Sequence, residues 1–341
     1  MSLSRLKRIE SYSSPILLVI FVQLFLLFAS VPTSVFAQAR PKKATLITLW
    51  VPQAQFAGYY VAIDKGIYLK HGIDLKILRS GAGYNTFQTL KNGQADFAVL
   101  WLVTALKERS AGSKLVNISQ TVQRSSMMLI SKKTSGINRL EDMKGKKIGL
   151  WEGDLAIPAR TLFTKYGINF REVRQSQTVN LFLRGGIDVA SAMWYNEYHV
   201  VLNSGIDADQ LNTIFLDKLG MKFPEDGIYT MEKTLKSDPE LVDEFAKASL
   251  EGWRYAFDHP DEALDIVMKY MHRDEVPANR SHQRWMLLRI KDLMMTNGEP
   301  GRFGILQKDD YDAVCKVMFR EGLIKHYTEY SNFFKGTHAG K

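Results

Sequence analysis

Two short stretches place aromatic rings, amides and a carboxylate where an extended segment gives way to a helix. The first, TLWVPQAQF, holds Trp50, Gln53, Gln55 and Phe56; the second, WYNEY, holds Trp194, Tyr195, Asn196 and Glu197. Aromatic rings offer flat faces for stacking, amides donate and accept, and a carboxylate accepts from amino groups. Together these types suit non-covalent recognition of a flat, nitrogen-bearing ring. Each has a plainer alternative: Trp50 and Phe56 as core, the glutamines as polar loop, Glu197 as a first-turn carboxylate favoured by the helix dipole. Further candidates are Asn85 in SGAGYN, Trp101 at an expected strand end, and Glu152 with Gly153 in WEGD. In WEGD the glycine serves either a cleft or only the bend.

The residues of catalysis are not arranged for it. The seven histidines, His71, His199, His259, His272, His282, His326 and His338, are spread without metal-ligand spacing. No HExxH, GxSxG, phosphate-binding loop or cysteine cluster occurs, so no catalytic residue and no metal is expected. SGAGYN contains Gly-x-Gly after an extended run, but the third glycine of a dinucleotide-binding turn is missing and Thr86 follows. Cys315, the single cysteine, has no internal disulfide partner and shares an apolar helical pattern with Val314, Val317 and Met318, so packing is its expected role. The formal charge is +9, and its densest cluster is KGKK at 144–147. No nucleic-acid motif accompanies it, so the charge reads as solvated surface and nucleic acid is not an expected partner.

Positioning the two stretches takes two α/β units built alike. The 341 residues, 45% hydrophobic and 24% charged, suit two compact lobes better than one. An extended run over 46–50 breaks at Pro52; Phe56, Tyr59, Tyr60 and Ile63 then follow one helix face until Gly66. Strands are expected over 74–78, 95–100 and 115–119, and helices over 86–92 and 104–110. That alternation implies a mainly parallel sheet flanked by helices. The pattern restarts near Thr134-Ser135-Gly136, with a helix over 157–166 and a strand over 187–193. The end of that strand delivers WYNEY to the place where ligands gather in open α/β sheets. At an offset of 92 residues, Phe87, Leu90, Gly93, Asp96 and Ala98 correspond to Val179, Phe182, Gly185, Asp188 and Ala190. Beyond Gly227 helices dominate, with Leu241, Phe245, Ala248 and Tyr255 on one face, and further runs over 261–271, 282–294 and 308–321.

Residues 1–39 differ in kind. Arg5, Lys7 and Arg8 precede an apolar run over 16–29 interrupted only by Gln23, and the small-residue stretch SVFAQA follows. That is the layout of a secretory signal peptide, with cleavage signals at Val35-Phe36-Ala37 or Ala37-Gln38-Ala39. The run is short of the ~20 residues of a membrane span, and no nearby cysteine marks a lipoprotein. An uncleaved anchor, as in a ligand-sensing subunit, is the alternative.

WVPQAQFAGYYVAIDKGIY followed by HGIDLKI, with the later YNEY turn, resembles the substrate-binding proteins of ABC importers. Within them it is most similar to the branch that binds pyrimidine precursors of thiamine, near the sulfonate, nitrate and taurine binders. The resemblance runs from about residue 45 to about residue 334. It implies a two-lobed α/β periplasmic-binding-protein fold, type II-like, each lobe a mainly parallel sheet flanked by helices. Lobe one would span 40–133, lobe two 134–226, a return to lobe one with C-terminal helices 227–334, and a tail 335–341. Crossings near 132–136 and 223–229 would form the hinge that closes on ligand. The resemblance further implies a periplasmic monomer, without a cofactor, that hands a small heterocycle to a membrane permease. The ligand contacts would be Trp50, Gln53, Gln55, Phe56, Asn85, Trp101, Glu152, Gly153, Trp194, Tyr195, Asn196 and Glu197, with the last two facing an aminopyrimidine edge. Riboflavin or a sulfonate- or nitrate-type anion is the alternative ligand, and the lack of arginine in both stretches counts against a small anion. The fold family also includes a eukaryotic-type pyrimidine synthase that consumes its own pyridoxal phosphate and a histidine. That enzyme carries a CCCFC-like motif, which this chain lacks, and the family often shows histidine where Gln55 stands. Binding, not catalysis, is therefore expected.

Overall fold

The computed structural model describes residues 40–295 and 302–336. The segment read as a signal peptide lies outside the described residues, as do His338 and most of the tail. The first lobe runs through β1 (Lys42–Ile47), a 3₁₀ turn (Ala54–Phe56), α1 (Ala57–Asp64), β2 (Ile73–Leu78), α2 (Thr86–Lys91), β3 (Phe97–Trp101), α3 (Leu102–Ser110) and β4 (Leu115–Gln120). The second has β5 (Met127–Lys132), β6 (Lys147–Leu150), α4 (Ile157–Lys165), β7 (Arg171–Arg174), β8 (Val189–Met193), α5 (Glu197–Asn203) and β9 (Leu211–Phe215). β10 (Asp226–Met231) returns to the first lobe, followed by α6 (Pro239–Asp258), α7 (Pro260–Arg273), α8 (Arg280–Met294) and α9 (Lys308–Arg320).

The strands form two five-stranded sheets, in the orders β2-β1-β3-β10-β4 and β7-β6-β8-β5-β9. Each is mainly parallel with one strand reversed: β10 runs antiparallel to β3 and β4, and β5 antiparallel to β8 and β9. In both sheets the reversed strand is the first one laid down after the chain changes lobe. The expected crossing near 132–136 is corrected by this pairing, because β5 belongs to the second sheet and the chain crosses over 121–126. That segment, TVQRSS, contains no glycine or proline to mark a break between two extended runs. The other crossing enters the first sheet at Asp226, inside the expected window. β5, β7, β9 and β10 were not foreseen; β10 stands where helices were expected to begin, and β7, REVR, is a largely exposed edge strand without apolar alternation.

The repeat at offset 92 has a structural basis. Asp96 accepts hydrogen bonds from Thr45 N (2.8 Å) and Thr45 Oγ1 (2.7 Å), tying β3 to β1. Asp188 accepts one from Lys147 N (2.8 Å) and so ties β8 to β6. Gly93 and Gly185, at φ 75° and 72°, end the preceding helical segments in both copies.

The returning helices brace the first lobe. α6 starts where the Asp238 carboxylate accepts from Leu241 N (3.0 Å) and Pro239 occupies the first turn. It buries Leu241, Phe245, Ala248 and Trp253 along one face, and Phe245 stacks on Phe97 of β3 with ring centroids 3.7 Å apart. α1 crosses α6 at two glycines. A Cβ on Gly58 would lie 2.3 Å from the Trp253 ring, and one on Gly252 would lie 2.3 Å from Gly58 O, so only glycine permits this approach. The crossing fixes α1, and with it the 3₁₀ turn that precedes it.

Candidate functional site

The first-lobe turn starts where β1 ends at Ile47, earlier than the extended run suggested. Thr48 Oγ1 and Ser80 Oγ both donate to Trp50 O (2.8 and 2.7 Å), which folds Leu49 and Trp50 into the loop. Trp50 is half-buried against the core. Gln53 Nε2 donates to Gln55 Oε1 (2.6 Å), and Gln55 Nε2 donates to Asp226 Oδ2 (2.8 Å). The backbone N–H groups at this helix start were expected to be open, and they are not. Ala54 N donates to Gln283 Oε1 (2.7 Å) and Gln55 N to Met286 Sδ (3.2 Å), both on α8. Phe56 is fully buried and lies in the first-lobe core with Tyr59 and Tyr60, beneath the turn and not on a cleft wall. The helix-face spacing that carried it into the candidate set is the spacing of a core stripe.

Gln55 leads to an acidic pair that the motif reading missed. Glu225 and Asp226 close the second crossing and are both buried. Ser125 Oγ and Ser126 N donate to Glu225 Oε1 (3.0 and 2.7 Å), and Ser126 Oγ donates to Oε2 (2.7 Å). Burial pushes Glu225 up to about 8, against the lowering effect of the Ser126 hydrogen bonds. Burial likewise raises Asp226 to about 6, while Gln55 and the Trp101 N–H favour its charged form. Trp101, at the end of β3, faces this carboxylate, yet Trp101 Nε1 and Asp226 Oδ1 both lack a hydrogen-bond partner of good geometry. Gln120 Nε2 donates to the carbonyls of Val122, Glu225 and Asp226 and so joins the two crossings. In the sequence, PEDG reads as an ordinary polar turn. The available signal was two adjacent acids at an expected lobe crossing.

The second-lobe turn follows β8. Tyr195 is buried, and its hydroxyl is held protonated by burial and by the acids Asp226, Glu225 and Glu197 around it. Glu197 accepts from Met193 N (3.0 Å) and Asn196 Nδ2 (2.8 Å), and burial raises its pKa against those bonds. Asn196 Oδ1 meets His282 Nε2 at 3.0 Å, and Trp285 Nε1 donates to Trp194 O (2.9 Å). The Trp194 ring packs edge-on to Phe215 and beneath the Arg289 guanidinium, 4.8 Å from the ring centroid. One helix, α8, therefore grips both turns.

The structure thus brings Gln55 and Trp101 to Asp226, with Gln53 bonded to Gln55 and Tyr195 within the electrostatic reach of the same carboxylate, while α8 holds Asn196 and Glu197 alongside. Other candidates lie apart. Asn85 caps α2 by accepting from Gln88 N (3.0 Å), and it lines a cleft of about 330 Å³ with Leu49, Tyr84, Phe87, Leu100 and Thr104 at the carboxyl ends of the first-lobe strands. Glu152 is exposed and pairs with Arg174 (2.9 Å). Gly153, at φ 66°, makes the bend that starts the next helical turn. Its neighbour Asp154 pairs with Lys107 of α3, a direct link between the lobes. Among the described residues no group of three His, Cys, Asp or Glu side chains is placed to hold a metal, and no helix is long and apolar enough to cross a membrane.

Two mixed five-stranded sheets joined by two crossings define the periplasmic-binding-protein fold. The periplasmic aliphatic sulphonate binding protein SsuA from Escherichia coli shares it, with a TM-score of 0.66 over 85% of this chain and 96% of that one, at 12% identity. A family model described as NMT1/THI5 like matches residues 53–263, and the chain belongs to that family. It is 26% identical to riboflavin-binding protein RibY of Chloroflexus aurantiacus, over 74% of this chain and 72% of that protein. It is 22% identical to the formylaminopyrimidine-binding protein of Halalkalibacterium halodurans, over 64% and 68%. It is also 26% identical to a 4-amino-5-hydroxymethyl-2-methylpyrimidine phosphate synthase of Legionella pneumophila, over 66% and 72%.

Proposed function

We propose that the protein is a periplasmic solute-binding protein that delivers a small heterocycle, a pyrimidine precursor of thiamine, to an ABC importer. The observation that carries this reading is the convergence of one strand-end turn from each lobe on the crossing strand. Gln55 bonds Asp226 from the first lobe, and the charge of the same carboxylate is felt by Tyr195 of the second. Amide and carboxylate groups there match the amino and ring-nitrogen edge of an aminopyrimidine. The backbone N–H groups that would hold a sulfonate or nitrate at the first turn are already bonded to α8. Trp50, Gln53, Gln55, Trp101, Trp194, Asn196 and Glu197 are the proposed contacts, with the protein acting as a monomer.

Native mass spectrometry of gently purified protein tests the reading. An added mass fitting an aminopyrimidine supports it, and a flavin mass replaces the ligand with the one for which RibY is named. A synthase reading is favoured by the name of the Legionella relative. Absorbance of a lysine-linked pyridoxal cofactor in the purified protein would support that enzyme and overturn the binder.

A further inference from the structure

The grip of α8 on the second-lobe turn is a hydrogen-bonded chain with a direction. Glu197, when ionised, only accepts, so Asn196 must turn its Nδ2 toward Glu197 Oε1 (2.8 Å) and its Oδ1 toward α8. His282 Nε2, 3.0 Å from Asn196 Oδ1, must then carry the proton. A neutral His282 protonated at Nε2 has a lone pair at Nδ1, and that lone pair faces His199 Nδ1 of α5 at 2.9 Å. His199 is then the Nδ1–H tautomer and donates, which requires the Asn203 amide, 3.2 Å from the same Nδ1, to turn its oxygen towards it. The rings of His199 and Trp285 stack with centroids 4.8 Å apart, which holds the two helices in this register.

We propose that His282 is a positioning residue for the Asn196–Glu197 turn and that its contact with His199 makes ligand affinity fall as the pH drops. The affinity half rests on the reading of that turn as a ligand contact; the chain from Asn196 through His282 to His199 is a property of the joined lobes alone. A neutral histidine pair offers one N–H and one lone pair along the Nδ1···Nδ1 line, and one added proton still leaves a donor and an acceptor there. When both rings are charged, two N–H groups oppose each other at 2.9 Å and α8 lets go of α5. Among the described residues, the carboxylates of the elements packed around this pair are already engaged. On α8 itself, Arg280 and Arg284 are paired with Asp261 and Asp265 of α7, and Arg289 lies over Trp194 and Trp285. On α5, Glu197 is taken by Met193 N and Asn196, Tyr198 packs near Trp285, and the Asn203 amide lies 3.2 Å from His199 Nδ1. From the crossing, Arg124 faces Trp194 and pairs with Asp217 at 3.4 Å. The 3₁₀ turn brings only the amides of Gln53 and Gln55.

Burial pushes His282 down to about 4, with His199 adding to the effect, and burial also lowers His199. A histidine with a depressed pKa in the joined state takes up a proton on opening. The joined state is therefore favoured above the ordinary value of about 6.5 and loses that advantage as the pH falls from about 6.5 towards about 4.

Two measurements on the full mature chain test the proposal. Nitrogen-15 NMR of the imidazole rings at pH 7.5 should show His282 as the Nε2–H tautomer and His199 as Nδ1–H, with His282 still neutral at pH 5.5. The opposite tautomers, or titration of His282 near 6.5, overturn the proposal whether or not any ligand binds. Calorimetry with formylaminopyrimidine and with riboflavin reads the affinity. The probe that binds should weaken about tenfold or more between pH 7.5 and pH 4.5. At pH 7.5 His282→Ala should weaken it about tenfold. His282→Gln, which restores a side-chain N–H towards Asn196, should recover most of that loss and keep only the shallower pH dependence that Asp226 supplies. An unchanged wild-type affinity at pH 4.5, or the same pH slope in His282→Gln, overturns the pH claim. If neither probe binds the wild type, the ligand reading fails and the NMR result alone decides the positioning chain.

Discussion

The two turns gripped by α8 are held by different kinds of group. At the first, the protein's backbone donates outward: Ala54 N and Gln55 N reach Gln283 and Met286, and the Gln53–Gln55 amides run inward to Asp226. None of the α8 groups on that side titrates. At the second, the turn accepts from α8 through Asn196 and Trp194, and the helix side is a histidine and an indole, with a second histidine behind. The same helix therefore offers the first lobe a fixed anchor and the second a contact that depends on protons. A hinge needs such asymmetry if α8 is to stay with one lobe while the other moves.

The largest expected effect lies between the turns, at the crossing they share. Glu225 is held protonated in the folded chain to about pH 8, so the fold keeps a proton that the unfolded chain releases. Stability should thus fall as the pH rises from the ordinary value of 4.5 through about 8, by on the order of 2–4 kcal/mol. Thermal unfolding between pH 6.5 and 9 reads the upper part of this loss, about 2 kcal/mol, above the histidine range, and Glu225→Gln should flatten it. A flat wild-type profile would remove Glu225 as a buried neutral acid.

Gln283→Ala comes next. It leaves the buried Ala54 N–H without an acceptor and should cost about 1–3 kcal/mol in chemical denaturation. The loss should be equal at pH 5 and pH 8, since nothing in that contact titrates; unequal losses would break the contrast between the turns. Asn85→Ala should cost about 1 kcal/mol by removing the cap of α2, measured in the same way. Glu152→Ala removes only an ion pair with both side chains mostly exposed, and should change stability by less than about 0.5 kcal/mol.

Much of this was legible because it is local. The alternation of strands and helices, the glycines closing helices and the two aspartates at offset 92 each follow from periodicity and turn chemistry within about a dozen residues. The opening motif was enough to indicate the family and fold that the comparisons bear out. The rest depends on contacts distant in sequence. Gln283 and Met286 meet the first turn from more than 200 positions away, and His282 is only one polar residue on an amphipathic helix until α5 is beside it. Phe56 shows the converse failure. It sits next to Gln55 in the motif, but the helix turns it inward, and its proximity in sequence carried it into a site it does not line. The crossing at 121–126 was missed because polar residues without glycine or proline do not announce a change of lobe.

The central claim is that one turn from each lobe holds the same ligand, and calorimetry with formylaminopyrimidine on Trp50→Ala and Glu197→Gln tests it most directly. Loss of stacking is worth roughly 1–3 kcal/mol, and loss of a charge-assisted hydrogen bond about 1.5–3 kcal/mol. Each variant should therefore bind about tenfold more weakly or worse than the wild type, with little change in the melting temperature of the empty protein. Wild-type affinity in both variants, together with a large fall in melting temperature, would make Trp50 and Glu197 parts of the core and contradict the account.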